Sequence, residues 1–228
     1  MDRTQLYDYA DGRRFIGKTA KEIFTEIERN NVWLDSESVS GTGSSAQQTG
    51  ELIRQLPGLF HQYHIQSIFD IPCGDFNWFR HVRLDGIRYR GGDIVESVIQ
   101  RNTARFQQES ISFIHFNLLE DEIEPVDLIF SRDCWVHFSF SDVYQALKQI
   151  LQSGSIYIMT TTFPGQLVNS DIPTGGWRPL NLEVEPFNFP APEFLLNEKC
   201  TEMDGVFHDK SLGLWKIDSL RSILKFKI

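Results

Sequence analysis

The segment that most restricts this chain is Phe69-Asp70-Ile71-Pro72-Cys73-Gly74-Asp75-Phe76-Asn77-Trp78. An apolar run over residues 67–71 stops in a turn that holds a proline and a glycine, and a second segment begins beyond it. About twenty residues on, another apolar run ends in Gly91-Gly92-Asp93. A strand, a tight glycine turn and a later acid at that distance is how a parallel α/β sheet forms a nucleoside site. The glycine lets backbone approach a ligand because no Cβ intervenes, and the acid accepts hydrogen bonds from ribose hydroxyls. Pro72-Cys73 stands where a dinucleotide fold needs its first glycines. That shifts the expectation from NAD to a smaller adenosyl ligand.

The rest of the chain supplies a sheet for this turn. Strand-like runs fall at residues 67–71, 89–92, 111–117, 126–131 and 155–161. Helical periodicity appears between them, at 95–108 and at 142–152, the latter with Ser141 as the expected N-cap and Gly154 past its end. Strands alternating with helices predict a parallel sheet covered on both faces. Ahead of the sheet, residues 18–30 and 47–60 read as helices, with Pro57-Gly58 weakening the last turn of the second. Residues 1–17 read as a loose arm, and the Gly/Ser-rich stretch 35–45 as either a linker or a mobile lid. After the fifth strand, six prolines punctuate residues 163–192, yet Trp177, Phe187 and Phe189 argue against disorder there. Residues 194–200 and 211–217 are expected to pair as an antiparallel hairpin at the sheet edge.

Bulk properties narrow the partners. The net charge is -9 over 228 residues, with acids and bases interspersed, so the basic stripe that a nucleic acid or a membrane surface would need is missing. Three distant cysteines, Cys73, Cys134 and Cys200, give neither a disulfide framework nor a zinc ribbon. His115 and His208 lack metal-ligand spacing with other donors, and no metal is expected. The polar N-terminus and the lack of an apolar run of roughly 18 residues point to a cytoplasmic protein without membrane insertion. The oligomeric state is left open.

Taken in order, Asp70-Ile71-Pro72-Cys73-Gly74-Asp75 at the first strand end, Asp93 at the second, Asn117-Leu118 at the third, Asp127-Leu128-Ile129-Phe130-Ser131-Arg132-Asp133 along the fourth and Val136-His137-Phe138 beyond it resemble the class I S-adenosylmethionine-dependent methyltransferases. The likeness covers residues 47–217. The family's usual Gly-x-Gly is replaced here by Pro72-Cys73-Gly74, and the form Asp-x-Pro-Cys-Gly-Asp-x-x-Trp is similar to a subgroup of bacterial methyltransferases associated with glycan assembly. The resemblance implies an α/β, Rossmann-like fold with a seven-stranded, mostly parallel sheet and an antiparallel C-terminal hairpin. It implies one domain over 1–228, with 1–63 as a helical lid segment, 64–228 as the catalytic core and 163–192 as an acceptor-side insertion. It implies S-adenosyl-L-methionine as cofactor, S-adenosyl-L-homocysteine as product, and cofactor contacts at Asp70, Cys73, Gly74, Asp75, Trp78, Asp93, Asn117, Leu118, Ser131 and Arg132.

Several of these residues have plainer readings. Gly74 alone is a turn glycine, Asp93 alone a helix cap, and Asp70 and Asp75 satisfiers of turn amides. Trp78 reads more readily as core than as cofactor wall. Asp133 and His137 follow the fourth strand, where an acceptor would approach, and an imidazole suits a general base at neutral pH, although His137 reads a little more readily as a hydrogen-bonded, half-buried ring between Val136 and Phe138. Asp171, Trp177, Arg178 and Asn188 offer the aromatic and polar groups of a carbohydrate site, so the acceptor is expected to be a sugar or glycan hydroxyl; the plainer reading is that Trp177 and Phe189 pin a long loop to the core. Methylation of nitrogen on a small metabolite or a protein side chain is the enzymatic alternative, and a non-catalytic adenosyl-binding subunit another. Tyr144 and Lys148 have the spacing of a short-chain oxidoreductase pair, but the glycine array of such an enzyme is absent.

Overall fold

The computed structural model describes residues 12–224. Its centre is one seven-stranded sheet in the order β3-β2-β1-β4-β5-β7-β6. The strands are β1 (Ser67–Asp70), β2 (Arg88–Asp93), β3 (Ile111–His115), β4 (Leu128–Ser131), β5 (Tyr157–Thr162), β6 (Phe194–Asn197) and β7 (Ser211–Lys216). β1 to β5 are parallel, β7 is antiparallel to β5, and β6 is antiparallel to β7. The mostly parallel sheet and its C-terminal hairpin are as the sequence predicts, with β7 inserted next to β5 so that β6 forms the edge.

Alternation along the buried strands decides which face each residue serves. Phe69, Ile129, Ile158 and Trp215 enter one apolar layer, while Ile68, Leu128, Phe130, Met159 and Leu214 enter the other. The first layer is closed by Val143, Leu147 and Ile150 of the helix Phe140–Gln152, the second by Leu52, Leu56 and Phe60 of the helix Ala46–Gln62. We number the helices α1 (Ala20–Arg29), α2 (Ala46–Gln62), α3 (Glu96–Phe106), α4 (Phe140–Gln152) and α5 (Ile217–Leu224). α1 begins in a capping box, in which the Thr19 hydroxyl accepts from the Glu22 amide and the Glu22 carboxylate accepts from the Thr19 amide. The N-cap of α4 is Ser139, not Ser141: the Ser139 hydroxyl accepts from the Asp142 amide at 3.2 Å, and the helix starts two residues earlier than its apolar periodicity shows. α2 runs through Pro57.

Segments lacking regular structure are nonetheless anchored. In the stretch 35–45, Ser38, Ser44 and Ser45 are buried. In 163–192, Phe163, Leu180, Leu182, Phe187 and Phe189 enter the first layer, and the Trp215 indole donates to the Pro190 carbonyl at 2.7 Å. Gly213 makes room for that indole, because a Cβ there would stand 2.1 Å from the ring. Part of the arm expected over 1–17 lies outside the described residues. Among the described residues, no helix is long and apolar enough to cross a membrane, and no group of three or more His, Cys, Asp or Glu is placed to hold a metal ion.

Candidate active site

Strand order reverses between β1 and β4, and in an open α/β sheet the crevice at the carboxyl ends beside that reversal is where ligands bind. A cavity lies there, with about 1080 Å3 of atom-free space including its mouth. Its floor is made by the strand ends. Asp70, Cys73 and Gly74 come from β1 and its turn, Asp93 from β2, Asn117 and Leu118 from the end of the β3 segment, and Arg132 and Asp133 from β4. Trp78, Cys134 and His137 also line it. Of the site residues named from sequence, Asp75 and Ser131 lie outside the lining, as do Asp171, Trp177, Arg178 and Asn188.

The β1 turn is built for close approach. Gly74 has φ +53, where a side chain is strained, and a Cβ there would stand 2.2 Å from the Ser40 hydroxyl. The Gly74 amide donates to Asp93 Oδ2 at 3.1 Å, and its carbonyl accepts from Asn102 Nδ2 at 2.7 Å. Asp93 Oδ1 accepts from the Val95 amide at 2.9 Å, so this carboxylate caps the approach to α3 while also lining the cavity. A carboxylate has about four acceptor positions, so two remain for a ligand. Asp75 faces the other way: it accepts from Ser38 Oγ and the Val39 amide, both at 3.0 Å, and pins the 35–45 stretch onto the turn.

Two carboxyl groups on the floor are poorly compensated. Asp70 is buried, and burial raises it to about 8 even though the Tyr89 hydroxyl donates to it at 2.5 Å. Burial likewise raises Asp93 to about 6 against its two amide donors. Both are positions where a cation in the cavity would favour the ionised form.

Beyond β4 the electrostatics differ. Burial alone would raise Asp133, but Arg132 and Lys210 together hold it well below the carboxylate range. Lys210 Nζ lies 2.6 Å from Asp133 Oδ2, and Arg132 Nη1 lies 3.3 Å from the same oxygen. Arg132 also pairs with buried Glu198 at 2.7 Å and donates to the Gly43 carbonyl at 2.8 Å. Its guanidinium sits 5.4 Å from the Trp78 ring centroid. Asp133 itself has φ +52, an uncommon conformation for a non-glycine residue, held by a bond from its amide to Thr161 Oγ1 at 2.8 Å.

His137 ends the short turn Trp135–His137. Its Nδ1 is 2.7 Å from the Gly176 carbonyl, and a carbonyl only accepts, so Nδ1 carries the proton and Nε2 keeps its lone pair. Burial lowers its pKa to about 4, so the imidazole is neutral at physiological pH. The Trp33 ring lies 5.1 Å from it, and Phe24 lies 6.0 Å from Phe138. Trp33, Val39 and Ser40, with Phe24 and Glu28 of α1, form the roof of the cavity. Glu28 ties that roof to α3, accepting from Arg101 at 2.7 Å and from Ser97 at 3.1 Å.

The insertion residues have other partners. Arg178 is buried and donates to the carbonyls of Ser170, Trp135 and Phe138. Asp171 accepts from the Phe140 amide at 2.7 Å, at the start of α4. Trp177 packs edge-on against Phe163 and Phe207, and Asn188 is exposed with φ +51. Sequence reasoning missed Asn102, Trp33, Glu198 and Lys210. An asparagine inside a helix is a poor helix former, which is a weak cue for Asn102; the others carry no local signal.

Comparison of the sequence with protein-family models and with curated proteins found no match. Comparison of the structure with solved structures did. The chain is similar to human N-acetylserotonin methyltransferase in complex with SAM, with TM-score 0.63 and 16% identity over 94% of this chain and 66% of that one. It is similar to PigF with SAH, with TM-score 0.62 and 11% identity over 94% of this chain and 68% of that one. It is also similar to the methyltransferase domain of bacterial CtHen1, with TM-score 0.54 and 13% identity over 74% of this chain and 99% of that one. The chain therefore spans about two thirds of the length of the first two. At such identities the likeness is one of fold, and the fold of this chain is the seven-stranded Rossmann-like fold of these methyltransferases.

Proposed function

We propose that this chain is an S-adenosylmethionine-dependent methyltransferase acting on a hydroxyl of a small molecule. The observation that carries the reading is the pair of buried carboxyl groups, Asp70 and Asp93, flanking the left-handed Gly74 turn on the cavity floor. A cavity whose acids are held toward their neutral forms by burial fits a ligand that brings positive charge, as an ammonium and a sulfonium do. The fold neighbours crystallised with SAM and with SAH support the same ligand.

In this reading Asp70 receives the amino group of the methionine moiety, and the free acceptor positions of Asp93 receive the ribose hydroxyls. Asn117 and Leu118 flank the adenine, while Trp78, Arg132 and Cys134 wall the remainder. Asp75 and Ser131 act from behind, the first by holding the roof down. Bound S-adenosylmethionine supplies a sulfonium methyl group open to displacement. The chain's residues align the acceptor hydroxyl, keep water out under the α1 roof, and take up the proton. His137 Nε2 accepts that proton as the C–O bond forms and the C–S bond breaks, its electron pair leaving with sulfur. Asp133 is the weaker candidate for the base, because Lys210 and Arg132 already hold its carboxylate.

The acceptor meets Phe24, Trp33, Phe138 and His137 under this reading. Asp171, Trp177, Arg178 and Asn188, the groups suited to a sugar or glycan, lie outside the cavity lining, so the acceptor in this reading is a small hydroxyl compound. Calorimetry with S-adenosylmethionine, S-adenosylhomocysteine and NAD, followed by turnover against an acceptor library, tests the proposal. Tight NAD binding with no response to either adenosyl compound would overturn it, and adenosyl binding with no turnover would reduce the chain to a binding subunit.

A further inference from the structure

We propose that residues 171–178 of the insertion are a positioning template for His137, with Arg178 as the residue that locks it, and not a surface that holds the acceptor. The inference rests on the reading of His137 as the base.

The turn between β4 and α4 is met by this segment at every residue from Trp135 to Phe140. Arg178 Nη1 donates to the Trp135 carbonyl at 2.9 Å, and the Arg178 amide donates to the Val136 carbonyl at 3.1 Å. The Gly175 amide donates to the His137 carbonyl at 2.8 Å, and Arg178 Nη2 donates to the Phe138 carbonyl at 2.8 Å. The Ser139 amide donates to Thr174 Oγ1 at 2.9 Å, and the Phe140 amide to Asp171 Oδ1 at 2.7 Å. Six consecutive residues thus take their placement from one neighbouring strip of chain. The same strip supplies the Gly176 carbonyl that holds the proton on His137 Nδ1.

Arg178 is the keystone because a guanidinium has five donors in a rigid plane. It spends three of its donor directions on the Ser170, Trp135 and Phe138 carbonyls, binding insertion and turn together. Among the described residues no acid is within ion-pair distance of it, so its charge serves backbone carbonyls, and its guanidinium is further covered by the Phe140 ring at 5.4 Å. An imidazole free to choose its tautomer presents a lone pair at Nε2 only part of the time. One held by Gly176 presents it always, and a displacement of about 1 Å at such a base can cost about 100-fold in rate.

The test uses the full-length protein labelled with 15N in histidine. Long-range proton–nitrogen correlation is expected to show His137 as a single tautomer, protonated at Nδ1. Arg178→Gln is expected to mix the tautomers and lower kcat by about 10- to 100-fold, with the S-adenosylhomocysteine affinity unchanged. Arg178→Lys, which keeps a cation but not the fork, is expected to recover part of the rate. The acid limb of the rate profile is expected to move from near 4 toward 6.5 as His137 loosens, with Asp133 favouring its charged form and Arg178 and Lys210 opposing it. If Arg178→Gln does not fold, Thr174→Val removes the acceptor of the Ser139 amide at smaller cost and is read by the same correlation. A tautomer and acid limb that stay put in every folded variant would overturn the template. A full rate in His137→Gln would instead overturn the base reading, and with it the catalytic meaning of the lock, whatever the tautomer does.

Discussion

Replacing Asp70 with asparagine is expected to stabilise the ligand-free protein in alkaline solution while removing its hold on a cationic ligand. The folded protein keeps a proton on Asp70 up to about pH 8, because burial disfavours the carboxylate; the unfolded chain releases it near 3.8. Between those values the folded state binds one more proton, so stability falls as pH rises, by about 1.4 kcal/mol per pH unit. Below pH 6.5 His137 works the other way, since burial lowers it to about 4 and the unfolded chain takes up a proton that the folded state refuses. Asp93 adds its own fall, but only up to about pH 6. Above pH 6.5 the slope belongs to Asp70, and its sum up to pH 8 is about 1.5–2 kcal/mol, allowing for the flattening near the pKa. For a chain of this size that is about 3–8 °C in Tm. Asparagine keeps the shape and an oxygen for the Tyr89 hydroxyl, and carries no charge to bury. Urea unfolding of parent and Asp70→Asn at half-unit steps between pH 6.5 and 8 measures it. The parent should lose stability along that series and the variant should hold level. Parallel slopes would refute the reasoning, by showing that Asp70 is ionised in the empty cavity and needs no cation.

Further outcomes follow from the same geometry. Asp93→Ala should weaken S-adenosylhomocysteine by about 1.5–3 kcal/mol in calorimetry, and should also cost about 1 kcal/mol of stability for each of the Gly74 and Val95 amides it releases. His137→Ala should lower methyl transfer by about 100-fold or more with the adenosyl ligand still bound; an undiminished rate would leave alignment alone as the catalytic device. Lys210→Met strands Asp133 and Glu198 beside a single remaining cation, and should destabilise the fold by about 3–5 kcal/mol in denaturant titration, part of which Glu198→Gln in the same chain should restore. Hydrogen exchange across residues 38–45 should slow when S-adenosylhomocysteine is added, since Val39, Ser40 and Ser44 line the cavity; unchanged exchange would reduce that stretch to a connector.

The strands and the cavity floor were legible because they are local. A buried strand is a short apolar run, and Asp70, Gly74, Asp93 and Asn117 each sit where such a run stops. What could not be read depends on partners distant in the chain. Arg132 and Glu198 are 66 positions apart, and nothing near either announces the other. Arg178 reads as a surface cation suited to a polar ligand until its partners prove to be the carbonyls of Trp135 and Phe138, which any sequence would present. Gly/Ser content in 35–45 reads as flexibility because composition does not show that the carboxylate of Asp75 gathers the Ser38 hydroxyl and the Val39 amide. Ser139 was missed as the α4 cap because Ser141 stands next to the first strongly periodic position and offers the same chemistry.

The hairpin of β6 and β7 has a consequence for the order in which the site is made. A ribosome releases β1 to β5, with every strand-end residue of the cavity floor, before it reaches Glu198 and Lys210. Until then the charged partners that Arg132 and Asp133 have among the described residues are one another, beside the Gly43 carbonyl and the Thr161 hydroxyl. The four-residue charge cluster beneath the reacting end of the cavity is therefore completed only after the central strands have been made. Its last two members, Glu198 and Lys210, lie between β6 and β7, and β7 runs in the reverse direction between β5 and β6. A chain cut before residue 198 would carry a recognisable floor and the Arg132–Asp133 pair, but neither Glu198, which holds the other side of the guanidinium, nor Lys210, which holds Asp133 Oδ2.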